Sequence, residues 1–134
     1  MADQRNRSLL TRALVAAGVT AVMFAAKALT IAAGRDAFED PFVNGFFFAG
    51  GLALVATFVL AGAGVATRHR GRGAALGLLV GVVGGVAIAA LAGVLLPADG
   101  SWVWGEVNLW VIALLALAAV LVLRARARRP ERTT

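Results

Sequence analysis

At 134 residues the chain has the length of a single domain, yet 60% of it is hydrophobic and its mean hydropathy is +0.85, well outside the soluble globular range. It contains no cysteine, which excludes disulfides, thiolate nucleophiles and cysteine-based metal sites. A net charge of +6 would point a soluble protein toward nucleic acid. Here the basic residues flank apolar blocks, and that distribution accounts for them without a nucleic-acid partner.

Four windows of about 18 or more apolar residues alternate with short charged connectors. This pattern predicts an all-α integral membrane protein, an antiparallel four-transmembrane-helix bundle. Residues 1–12 form a polar basic tail with Arg5, Arg7 and Arg12. The first span, 13–34, is longer than the roughly 7 to 15 apolar residues of a signal-peptide core and is expected to be retained, with Gly34 as its C-terminal cap. An acid-rich loop follows, containing Asp36, Glu39 and Asp40. Asp40 before Pro41 is a helix start, since the carboxylate can cap orphan N–H groups and proline lacks an N–H that would be orphaned anyway.

The second span, 41–67, carries small residues every fourth position at Gly45, Ala49, Ala53, Thr57 and Ala61. A tight basic turn, Arg68 to Arg72, leads into the third span, 73–96, which stops at Pro97. The next loop holds Asp99, Trp102, Trp104 and Glu106, and the indoles mark a membrane interface. The last span, 107–123, gives way to an Arg-rich tail, 124–134, expected to be disordered at its tip.

The third span reads Gly73, Gly77, Gly81, Gly85, Ala89, Gly93 at every fourth residue. Each glycine costs a soluble helix roughly 1 kcal/mol relative to alanine, whereas in a bilayer a groove of small residues lets a neighbouring helix come close. Steps of four drift by about 40° each, so the ladder winds some 200° around its helix and cannot serve one straight partner. One part is expected against the ridge that runs from Gly45 through Ala49, Ala53 and Thr57 to Ala61 on the second span. The remainder is expected to dock the first span, the fourth span or a second copy.

Charge asymmetry predicts orientation. The two tails and the middle turn hold eleven arginines against two acids, while the two remaining loops hold one arginine against five acids. Basic residues beside spans stay in the cytoplasm, which places both termini inside a plasma membrane crossed four times. Arg124, Arg126, Arg128 and Arg129 are then candidates for contact with anionic lipid.

Lys27 is the one charge deep within a span. Its amine can snorkel toward Asp36, Glu39, Asp40 or Glu106, or face the bundle as a buried cation. Together with Asp40, Asn44, Glu106 and Asn108 it forms the candidate polar site, an outward-facing vestibule. His69 lies among arginines without companion ligands and is read as a turn residue; Phe46, Phe47 and Phe48 are read as lipid-facing. No cofactor is implied, and no catalytic constellation is present to support an enzyme. Nor is a family implied: the small multidrug exporters carry a glutamate in their first span, where this chain has only Lys27. The expected function is a structural or accessory subunit packing through small-residue ridges, alone as a homo-oligomer or in a larger complex. The alternative is a small transporter or channel using Lys27 and the outer acids.

Overall fold

A computed structural model describes residues 2–129 and contains four helices, α1 (Ala2–Ala32), α2 (Pro41–Val65), α3 (Arg70–Leu95) and α4 (Trp102–Arg128), with no strand among the described residues. All four are long and apolar enough to cross a membrane, giving the chain the build of a multi-pass membrane protein whose helix surfaces contact lipid. The tip of the C-terminal tail, including Arg132, lies outside the described residues.

Local chemistry sets the helix ends. Gly34 adopts φ +96°, a left-handed conformation that lets its N–H donate back to Ile31 O at 2.9 Å and closes α1. Asp40 caps α2, its carboxylate accepting from the N–H groups of Phe42 (2.9 Å) and Val43 (3.2 Å), with Pro41 in the first position. α3 ends at Leu95, two residues before Pro97. At its two outer ends the helical structure runs beyond the apolar spans: α1 continues back through the polar residues to Ala2, where Asp3 and Arg7 pair one turn apart, and α4 begins at Trp102.

Three helices build the core through seven-residue periodicity. In α1 the buried positions include Leu10, Ala13, Ala17, Thr20, Phe24, Lys27 and Ile31, alternating steps of three and four. α2 buries Val43, Gly50, Thr57 and Gly64 at steps of seven, plus Ala61. α4 buries Glu106, Ala113 and Val120 at the same step, plus Ala116. This spacing is that of knobs-into-holes packing, in which small residues on one helix receive large ones from the next. Phe24 of α1 lies over Gly50 of α2, where an added Cβ would come within 2.5 Å of its ring, and Leu10 lies over Gly64. Ala13, Ala61 and Val120 join the three helices at the end of the bundle that holds the α2–α3 turn.

α3 stands outside this core and, among the described residues, buries none of its own. It leans mainly on α2. Gly73, Gly77 and Gly81 pack there against Gly62 and Phe58, backbone against backbone at Gly62, whereas Gly84, Gly85 and Gly93 have nothing within 4 Å of a would-be Cβ. The ridge that α2 presents to the α3 glycines is Phe58, Gly62 and Ala66, not the expected one from Gly45 through Ala49, Ala53 and Thr57 to Ala61. Gly45 and Ala49 are exposed and Ala53 is half-buried. The displacement follows from the core: Thr57 and Ala61 are turned inward toward α1 and α4, so the face one position further round is left for α3.

Candidate functional site

Of the five residues expected to form a polar site, two meet directly. Lys27 Nζ donates to Glu106 Oε1, joining α1 to α4, and the two residues are only 7% and 5% exposed. Both owe their burial to the seam. Lys27 lies seven residues after Thr20 on the inward face of α1, and Glu106 lies seven before Ala113 on that of α4. Because α4 begins at Trp102, Glu106 is a helical residue about one turn inside the membrane-spanning segment rather than part of the preceding loop. Lys27 is similarly ~7.5 Å inside the end of α1. A lone lysine costs roughly 3 kcal/mol at the centre of a spanning helix; the carboxylate offsets that cost, and the amine does not turn out into lipid.

The pair is incompletely satisfied. Among the described residues Glu106 Oε2 is buried and accepts no hydrogen bond. Lys27 Nζ also stands 5.6 Å from the centroid of the Phe47 ring, so its charge is held between a carboxylate and an aromatic face. Phe47 thus has a second contact besides lipid, whereas Phe48 is broadly exposed. Beside the pair lies a cavity of about 460 Å³ lined by Lys27, Glu106, Phe38, Phe47, Trp102 and Asn108, among others.

The other three expected members have different engagements. Asp40 caps α2 and accepts from Arg35 at 2.9 Å. That guanidinium hydrogen bond, with support from the Val43 and Phe42 N–H groups, holds the Asp40 carboxyl below its usual range. Asp36 is likewise lowered by the N–H groups of Glu39 and Phe38, which fold the loop onto it. Asn44 donates to Phe38 O at 3.0 Å, fastening that loop to α2. Asn108 lines the cavity but does not bond to the pair, its Oδ1 accepting from the Leu109 N–H. Residue type alone did not reveal the aromatic lining of Phe38, Phe47 and Trp102, because these come from a loop and two different helices that only the fold brings together.

No protein-family model matches the chain, and neither a curated protein nor a solved structure matches it at significant similarity.

Proposed function

We propose that the protein is a structural or accessory subunit that offers a helix-packing surface to a membrane assembly. One observation carries this reading. α3 buries no residue, and the far half of its glycine ladder, at Gly85 and Gly93, has nothing within 4 Å of a would-be Cβ. Glycine gives lipid little to contact, and such stripes serve close helix approach. An antiparallel bundle is the arrangement this reading takes, supported by the pairing of Gly62 with Gly73 and Phe58 with Gly81, and of Leu10 with Gly64 and Phe24 with Gly50. Both termini lie in the cytoplasm of a plasma-membrane protein, a reading supported by the arginine bias and by Arg70 donating to Asn6 at 3.0 Å, which gathers the start of α1 and the middle turn at one end. At that same end Arg124, Arg126, Arg128 and Arg129 are placed to meet anionic lipid. Cysteine placed at Gly93 tests the docking surface in native membranes. A short reagent with one thiol-reactive end and one photoreactive end, which inserts into any adjoining chain, should give an adduct at twice the chain's mass for a homo-oligomer, or at another mass for a larger complex. A chain that reacts with the reagent yet forms no adduct would remove the reading.

A second reading, a small transporter or channel, is favoured by the burial of Lys27 and Glu106 beside an aromatic-lined cavity. It predicts that Asn108→Cys reacts with a membrane-impermeant thiol reagent from outside the cell.

A further inference from the structure

The cavity beside Lys27 and Glu106 has a defined chemical preference, and three observations fix it. Its fixed negative group is the Glu106 carboxylate, buried to 5% exposure, of which one oxygen holds Lys27 and the other, Oε2, is unpartnered among the described residues. A buried acceptor without a donor costs about 1–3 kcal/mol, and more for a charged one, so the site gains from a ligand that brings an N–H group. Three aromatic residues, Phe38, Phe47 and Trp102, line the cavity together with the charged pair. Aromatic faces beside a carboxylate suit a cation attached to an apolar body. Finally, the two loops nearest the cavity carry four acids, Asp36, Glu39, Asp40 and Asp99, against one arginine, a balance that concentrates cations and repels anions.

Lys27 shows what the site holds. Its side chain is a primary alkylammonium tethered to α1, bonded to the carboxylate and standing 5.6 Å from the Phe47 ring centroid. We propose that the cavity binds small organic cations with a primary ammonium group on an apolar body, and that Lys27 is the resident cation they displace from Glu106. The volume of about 460 Å³ accommodates such a molecule. Two ammonium groups sharing one carboxylate in a low-dielectric pocket would repel, so binding requires exchange. The displaced Lys27 amine turns outward along its four-carbon stem toward the acid-rich loop between α1 and α2. The inference rests on the vestibule reading given as the second proposal above and names the ligand class of that site.

The test is calorimetric titration of the purified full chain in detergent with benzylammonium. Benzyl alcohol, which lacks the charge, and benzyltrimethylammonium, which lacks the N–H, serve as comparators. Benzylammonium should bind saturably at one site per chain, and Glu106→Gln should abolish the binding. Lys27→Met removes a competitor present at millimolar or higher effective concentration and should tighten binding by about tenfold or more; binding confined to this variant would overturn the proposal. If Lys27→Met does not fold, Lys27→Gln carries the same comparison, because its amide still donates to Glu106. If neither lysine variant folds, wild type against Phe47→Leu decides, with weaker binding expected in the variant. Equal affinity of wild type and Glu106→Gln, no binding by a folded lysine variant, or no effect of Phe47→Leu would overturn the proposal. External labelling of Asn108→Cys without cation binding would refute the ligand class and leave the vestibule standing, whereas absent labelling would refute the vestibule itself.

Discussion

The sharpest test of the packing scheme is to place the same methyl group at two rungs of the α3 ladder. At Gly77 a Cβ would sit 3.0 Å from Gly62 Cα and 3.2 Å from Gly62 N, and closer still to Phe58 O, against ordinary contact at 3.4–4 Å. All three are backbone atoms of α2, so no side chain can swing aside and the helices must separate. A retreat of 0.5–1 Å forfeits about a quarter to a half of each van der Waals well, and roughly twenty close atom pairs at ~0.15 kcal/mol each then lose about 0.8–1.5 kcal/mol. At Gly85 the added Cβ meets nothing within 4 Å. There the substitution keeps only the helix-propensity gain, up to about 1 kcal/mol. Detergent-solubilised variants unfolded by titration with sodium dodecyl sulfate, followed by far-ultraviolet circular dichroism, should place Gly77→Ala below Gly85→Ala by that packing loss, ~0.8–1.5 kcal/mol, the propensity gain being common to both. Equal stabilities, or a more stable Gly77→Ala, would mean that α3 does not rest on α2 through this face.

Truncating the buried pair separates charge from packing. Lys27→Ala should destabilise the fold by about 3–5 kcal/mol because it strands the Glu106 carboxylate, while the double variant Lys27→Met, Glu106→Leu should recover most of that loss in the same unfolding assay. At Gly81 the Phe58 ring is the obstacle to a new Cβ, at 2.5 to 3.0 Å, and a ring can move. Gly81→Ala should therefore cost less than Gly77→Ala, by about 1 kcal/mol. Asp36 and Asp40 have carboxyls lowered from an ordinary value of 3.8, so the stability they contribute is complete above that value and is lost as pH falls through their lower folded values. Amide exchange at Phe42 and Val43, corrected for intrinsic rates, should stay slow down to about pH 4 and quicken below it, and Asp40→Asn should abolish that step.

The four spans, the Asp40–Pro41 start and the Gly34 stop were legible because each depends on a local rule: hydrocarbon length, capping, or tolerance of positive φ. Helix faces were harder to read. In a uniformly apolar helix small residues occur in every phase, so the fourfold ridge from Gly45 to Ala61 looked as good as the Phe58, Gly62 and Ala66 ridge that meets α3. The rare polar residues carried the missing phase. Thr20 and Lys27 are seven apart and both inward, as are Glu106 and Ala113. The choice of partner for Lys27 was similarly undetermined among four acids. Folding settles it because Asp36 and Asp40 are engaged by their own loop, and Glu106 alone lies on a buried helix face.

The two surfaces that carry the functional proposals adjoin each other. Between the outer end of α3 and the start of α4 lies a gap of about 330 Å³, lined by Ala92, Gly93 and Leu96 on one side and Trp104, Gly105 and Asn108 on the other. Gly105 and Asn108 also line the cavity beside Lys27 and Glu106. On the readings proposed above, a helix docked on the open half of the ladder would close this side of the vestibule, and partner binding and cation access would be linked through one shared wall. The pair itself is held by α1 and α4, without α3. Loosening α3 at Gly77 should then leave the Lys27–Glu106 contact in place while altering how readily the cavity is reached, and a loss of that contact in Gly77→Ala would show that α3 supports the core after all.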